Sequence, residues 1–402
     1  MRRIGLRHHV GKDQVLKNST RAETLALPVL QSESIDREVR RLFMQLSPIR
    51  LMSIKNTPVA SVRRSWQLCV KAFASREPVA AVVEKEVPTA DGALKVRIYS
   101  PRPLAKDELQ PALVWFHGGG FVFGDLYTAG ATCRQLANRC GCAVIAVEYR
   151  LAPESSLQDG LSDCEEAFRW ATTQASELGI DADRVAIGGD SAGGALAALV
   201  AQRCKKKGGR QPAAQMLVYP ATDLSQDYST TVGSHLPLAA EGIEWLQSRI
   251  SRLTDLNDPA ISPLLADDFG GLPPAVVLTA GFDPLREEAL AYARRLASSG
   301  VSVRLIHFPG QFHGFLSFDN VLQGAREAFE RLGSALAVLF DGGRLEPGVE
   351  CAAPSRRLWP PLWMRPSQRI KETAVVFQIL IDLLKWGVIN VLGRRRADRE
   401  GP

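Results

Sequence analysis

Four short stretches hold residues able to carry out covalent chemistry together. The first is Gly188-Gly189-Asp190-Ser191-Ala192-Gly193-Gly194, in which Gly189, Ser191 and Gly193 make a G-x-S-x-G spacing. Arg184-Val185-Ala186-Ile187 before it has strand character, and Ala195–Leu199 after it has helical character. A serine on so sharp a strand-to-helix turn is held in a strained backbone, with its hydroxyl presented and a helix N-terminus aimed at the reacting centre. The second stretch is His117-Gly118-Gly119-Gly120, directly after the strand Ala112–Phe116. Glycines here let backbone amides reach a substrate oxygen that a side chain would hold off. The amides of Gly118, Gly119 and Ala192 are therefore the expected oxyanion donors. His117 and Asp190 are expected to support the two loops.

The third stretch places Asp283 just past a strand end, in Gly281-Phe282-Asp283-Pro284-Leu285-Arg286-Glu287. The fourth places His313 in a loop after the strand Val301–His307. A hydroxyl nucleophile, an imidazole base and a carboxylate that orients the base form an acyl-transfer apparatus. Glu287 reads either as a hydrogen-bonder near the base or as a solvated acid in the first turn of a helix. Other acids and bases suit these roles less well. His307 falls inside a strand, His235 and Asp255 fall in an insertion, and His8 and His9 fall in a basic leader.

The positioning elements can be read from hydrophobic period. Helical spacing runs over Ile35–Leu46 and Ser61–Phe73. Ala90-Asp91-Gly92 turns a hairpin. Beyond Pro111, apolar strands (112–116, 143–147, 185–188, 215–219, 275–279, 301–307) alternate with helical patterns (130–139, 161–178, from 192, 287–299, 322–339). Such alternation predicts a mostly parallel sheet covered on both faces. Residues 224–262 interrupt it with a helical pattern at Ile243, Leu246, Ile250 and Leu253, the mark of a lid or cap.

The order Ser191, Asp283, His313 is that of the α/β-hydrolases, and neither the chymotrypsin nor the subtilisin order. His117-Gly118-Gly119-Gly120-Phe121, Tyr149-Arg150-Leu151-Ala152-Pro153-Glu154, Gly189-Asp190-Ser191-Ala192-Gly193-Gly194, Asp283-Pro284-Leu285 and His313-Gly314-Phe315 resemble the hormone-sensitive-lipase-like (bacterial family IV) carboxylesterases. Ser262-Pro263-Leu264 before Leu272-Pro273-Pro274 fits as well, so the resemblance spans about Ser34 to Leu339. It implies an α/β-hydrolase sheet of about eight strands. It also implies a helical cap built from residues 32–76 and 224–262, and hydrolysis of short- to medium-chain carboxylic esters through an acyl-enzyme. Amidase, lactonase and acyltransferase chemistry use the same machinery, and a non-catalytic ligand-binding module could use the same scaffold. The expected partner is a small-molecule ester. The chemistry calls for no metal or organic cofactor.

The 402 residues with 46% apolar and 23% charged composition exclude a disordered or collagen-like chain. The net charge of +6 resides at the two ends, residues 1–21 and 356–402, while the middle is acidic. That distribution does not read as a nucleic-acid binder. Seven unpatterned cysteines suit a reducing compartment, and Cys140-Gly141-Cys142 lacks the second ligand pair a zinc site needs. Domain boundaries are expected at 1–31 (mobile basic leader without a signal sequence), 32–341 (catalytic domain), 342–370 (proline-rich linker) and 371–402 (tail helix). Residues 374–392 have nearly spanning length, but Asp382 and Lys385 would each cost about 2.5–3.5 kcal/mol at a bilayer centre. Gln378, Asp382 and Lys385 share one helical face, and Arg394-Arg395-Arg396 follow. Residues 374–396 therefore fit a peripheral membrane contact, a helix packed on the enzyme's own surface or a homodimer contact. A cytoplasmic protein, free or at the inner membrane face, is the expected location.

Overall fold

The computed structural model describes residues 34–50, 54–228, 240–251 and 254–353. The basic leader, the tail helix and His235 lie outside the described residues. Among the described residues the core is one sheet of nine strands in the order β1-β2-β4-β3-β5-β6-β7-β8-β9. β1 (Ala81–Thr89) and β2 (Gly92–Ser100) form the expected hairpin, and β2 lies antiparallel to β4 (Ala143–Val147). From β4 onward every pairing is parallel, through β3 (Gln110–Phe116), β5 (Ile180–Asp190), β6 (Gln215–Val218), β7 (Ala275–Phe282), β8 (Val303–Phe312) and β9 (Gly348–Cys351).

Side-chain alternation along these strands divides the core into two layers. Val114, Phe116, Ile145, Ile187, Leu217 and Val277 face one layer, where α4 (Leu157–Thr173), α5 (Ala192–Lys207) and α7 (Arg286–Ser298) cover them. Leu113, Trp115, Val144, Ala186, Met216 and Leu278 face the other. That layer is covered by α1 (Arg37–Arg50), α3 (Gly130–Cys140) and α8 (Gln323–Phe340). Two further helices, α2 (Val59–Phe73) and α6 (Ala240–Ile250), stand nearer the site.

Local chemistry moves some element ends from their sequence-based positions. α4 starts at Leu157 rather than 161, because Ser156 and Asp159 form a reciprocal capping box. β8 runs to Phe312 rather than 307, after a register shift that pairs Phe282 with Phe312. The sheet also continues past the expected boundary at 341. β9, in what reads as loop, pairs with β8 over Arg304–His307, and Glu350 accepts from both Arg304 and Arg331. Four residues are too few for periodicity to reveal. Cys140 and Cys142 are buried free thiols, with burial pushing the Cys142 thiol well up. Among the described residues no helix is long and apolar enough to cross a membrane.

Candidate active site

The turn between β5 and α5 carries Ser191 at φ 56°, ψ −119°, a strained conformation for a residue with a Cβ. The strain persists because the neighbouring backbones leave no room for another path. A Cβ at Gly193 would meet the Phe116 carbonyl oxygen at 1.9 Å, so α5 can press against β3 only with glycine there. Ser191 also donates its amide to Val218 and accepts from Ala221 at 3.1 Å, which locks the turn to the end of β6.

His313 follows directly on β8. Its Nε2 lies 2.8 Å from Ser191 Oγ and its Nδ1 lies 2.9 Å from Asp283 Oδ2. The Asp283 side chain is buried, and its other oxygen accepts the Leu285 amide at 2.8 Å. An ionised carboxylate only accepts, so the imidazole donates from Nδ1 and leaves Nε2 free to accept the serine proton. Tyr219 packs its ring 4.9 Å from the His313 ring, supporting one side of the imidazole. α1 braces the same loop from below: Phe43 meets Phe312 edge-on at 4.8 Å, Asp36 accepts from Gln311, and Glu38 accepts the first amides of α8.

The glycine loop after β3 departs from expectation at one position. The Gly118 amide donates to Asp190 Oδ1 at 3.0 Å, so it is already engaged and cannot also serve an oxyanion. Among the described residues the amides of Gly119 and Gly120 have no acceptor, and Gly120 lines the same cavity as Ser191 and Ala192. Gly119 stands at φ +127°, where a Cβ would lie 1.9 Å from the Phe123 carbonyl oxygen. Gly120, whose amide has no acceptor among the described residues, is the glycine that the sequence reading did not single out. The third glycine of the motif was a signal for it, but the bond from Gly118 to Asp190 is a long-range contact that spacing does not reveal.

His117 supports the loop. Its ring stacks on Tyr149 at 4.4 Å, its Nδ1 lies 2.8 Å from the Gly118 carbonyl, and Tyr149 donates to the His117 carbonyl at 2.6 Å. Burial holds its pKa below the ordinary histidine value. Burial also pushes the Asp190 carboxyl up to about 6, against the opposing pull of the Gly118 amide and His313.

Glu287 does not reach the base. Its side chain is exposed and pairs with Arg286 at 2.8 Å, the solvated alternative. The next residue, Glu288, is the buried acid. It accepts the Thr222 amide at 2.7 Å, the Asp223 amide at 3.2 Å and the Tyr228 hydroxyl. Burial raises its pKa to about 8. Helix phase alone does not separate these adjacent acids, since the partners of Glu288 come from the distant segment after β6. Asp255 sits in a turn, capping the Asn257 amide. His307 is buried in β8, with Nδ1 2.9 Å from Thr279 Oγ1.

Above Ser191 is an apolar cavity of about 50 Å³, with Leu224, Tyr228, Ile243, Leu246, Ile250 and Leu285 among its walls. Three of these residues come from α6, which is held by Trp245 donating to the Thr57 carbonyl at 3.2 Å. α2 reaches the outer side of the glycine loop through Arg63, which donates to the carbonyls of Val122 and Ala152 and pairs with Glu154.

Residues 113–317 match a family model described as the alpha/beta hydrolase fold. The chain is 38% identical over 264 residues to the carboxylic ester hydrolase LipN of Mycobacterium tuberculosis, covering 63% of this chain and 69% of that one. It is 38% identical over 253 residues to the ethyl acetate hydrolase of Pseudomonas putida, covering 62% and 80%. Among solved structures, an ester hydrolase from the metagenome of Lake Arreo, complexed with a bipyridine phosphonate derivative, superposes with a TM-score of 0.71. That protein is 37% identical, with 76% of this chain and 99% of that one covered.

Proposed function

The chain belongs to the hormone-sensitive-lipase-like carboxylesterases of the α/β-hydrolase superfamily and is a carboxylic ester hydrolase, and we propose that Ser191 is its nucleophile, His313 its general base and Asp283 the acid that orients the base. The supporting observation is the continuous hydrogen-bonded line from Ser191 Oγ through His313 to Asp283, at 2.8 and 2.9 Å. His313 Nε2 takes the serine proton as Oγ attacks the ester carbonyl, and Asp283 stabilises the imidazolium that forms. Negative charge then collects on the former carbonyl oxygen. The amides of Gly119, Gly120 and Ala192 are its proposed donors, with Gly118 and Asp190 anchoring their loop. A preorganised donor of this kind typically contributes about 10²–10³ in rate. His313 returns the proton to the departing alcohol, and a water activated by the same base releases the acid.

The cavity beside Ser191 and the relative named for ethyl acetate both favour short acyl groups. We assign the pocket between α6 and Leu285 to the acyl chain, with preference for short- to medium-chain esters. We also propose a peripheral membrane contact or a homodimer contact through residues 374–396, supported by the shared helical face of Gln378, Asp382 and Lys385 and by Arg394-Arg395-Arg396.

A p-nitrophenyl ester series from acetate to palmitate, run on wild type and Ser191→Ala, tests the reading. Turnover peaking at short chains and lost in the variant is expected. Unchanged turnover in the variant overturns the assignment of the nucleophile. A phosphonate ester that labels any residue other than Ser191, located by peptide mass analysis, does so as well.

A further inference from the structure

Away from the catalytic line, α2, β2 and the start of α3 enclose a cavity of about 160 Å³ with an unusual charge balance. Lys71, Arg76, Arg97 and Arg134 all line it, and among the described residues no acidic one does. Arg97 is neutralised by Glu84 at 2.5 Å. Among the described residues the other three cations have no carboxylate partner. Arg76 donates to the Tyr127 hydroxyl at 2.7 Å and lies over that ring at 5.4 Å. Arg134 donates to the Glu77 carbonyl at 3.3 Å and lies over the Tyr99 ring at 5.4 Å. Both guanidiniums are thus held in place by neutral groups, with their charge uncompensated. Lys71 is exposed at the rim on the last turn of α2.

Like charges brought together repel, and a fold normally disperses them or inserts an acid between them. Here uncharged partners fix two guanidiniums toward one concavity, which is the arrangement that recognises a multiply charged anion. Gly130 and Ala131 also line the cavity at the start of α3, an 11-residue helix whose Gly130 amide is already bonded to the Tyr127 carbonyl, so the positive end of the helix dipole adds to the field without a free Gly130 amide. One face of each of Tyr99 and Tyr127 is covered by an arginine, which removes it as a platform for a stacked base. The cavity also exceeds what a single halide would fill.

We propose that this cavity binds a phosphomonoester group, held by Lys71, Arg76 and Arg134. The group could belong to a small metabolite or to a lipid headgroup, since the cavity opens at an exposed rim. The site is separate from the ester-cleaving apparatus, and its failure would leave that reading untouched. It sits on the chain segment that leaves the glycine loop through Asp125 and Leu126, whose carbonyl accepts from Arg97. Occupancy therefore bears on a wall shared with the loop that carries Gly119 and Gly120.

Calorimetric titration of the full chain with inorganic phosphate and with glycerol 3-phosphate provides the first arm. Saturable binding that weakens as salt rises is expected, with affinity reduced at least tenfold in Lys71→Glu/Arg76→Glu. The second arm is flotation with vesicles containing phosphatidic acid, wild type against the same variant. Loss of flotation in the variant, without binding of the soluble phosphates, assigns the group to a lipid headgroup. Should the double variant fail to fold by circular dichroism, Lys71→Glu alone changes an exposed side chain and is expected to weaken binding at least threefold. No saturable binding in either arm, or binding that these substitutions leave unchanged, overturns the proposal.

Discussion

Replacing Asp190 by asparagine should make the protein more stable and a poorer catalyst. Asparagine has nearly the shape of the protonated acid and keeps an oxygen to accept the Gly118 amide, but it cannot ionise. In the native protein burial lifts the carboxyl from 3.8 to about 6. The folded state therefore holds the proton more tightly than the unfolded chain, and stability drains away as pH rises from about 4 to about 6. At 1.36 kcal/mol per pH unit the full displacement corresponds to about 3 kcal/mol. Solvent reaching the half-buried side chain reduces this to about 2 kcal/mol. Asp190→Asn should accordingly match wild type in urea unfolding at pH 4 and exceed it by about 2 kcal/mol at pH 8. The catalytic loss has a different origin. A charge-assisted bond to the Gly118 amide is about twice as strong as a neutral one, so the loop is anchored less firmly and kcat should fall about tenfold with KM little changed. A variant equally destabilised at both pH values would refute the desolvation argument. A variant with undiminished kcat would refute the role of Asp190 as anchor.

Three further substitutions probe other parts of the site. Gly119→Ala drives a Cβ into the Phe123 carbonyl oxygen, and should lower kcat at least about 10²-fold while circular dichroism reports a folded chain. Tyr228→Phe takes a donor from Glu288, whose pKa burial holds at about 8. Because that acid is protonated in the folded state below pH 8, denaturant unfolding should show a loss of about 1–2 kcal/mol at pH 9 and a smaller one at pH 6. Leu246→Trp fills the cavity above Ser191, so the butyrate-to-acetate ratio of kcat/KM should fall about tenfold or more.

How much of the site could be read from the chain depended on the reach of each interaction. The proposed triad of Ser191, Asp283 and His313 was legible because each follows a strand whose apolar run is visible on its own. In open α/β sheets ligands bind outside the carboxyl ends of the strands, so reactive residues just past those ends are candidates for a site. That the sheet is covered on both faces was legible too, since its strands are continuously apolar; the structure then separates Leu113 and Trp115 of β3 from Val114 and Phe116. What escaped was settled between distant segments. Gly118 and Gly120 are chemically identical, and only the position of Asp190 decides which amide is occupied. Glu287 and Glu288 are neighbours on a helix, and only the Thr222–Tyr228 segment decides which one is buried. β9 escaped because an edge strand of four residues has one neighbour and too short a pattern.

Asp283, Asp190 and Glu288 share one structural task. Each accepts at least one backbone amide from a loop near the nucleophile: Leu285 for Asp283, Gly118 for Asp190, and Thr222 with Asp223 for Glu288. Loops at the end of a parallel sheet have backbone donors that no strand partner satisfies, and a carboxylate can take two or more of them at once. The same solution places buried acids near the serine, and burial raises Asp190 to about 6 and Glu288 to about 8. Of the three, Asp283 is the one bonded to the His313 imidazole, which suits its proposed task of neutralising that ring as charge develops. Hydrogen-bond geometry thus separates three similar carboxylates into one partner of the base and two loop anchors. Only the anchors should tolerate an uncharged amide in their place with the catalytic line intact.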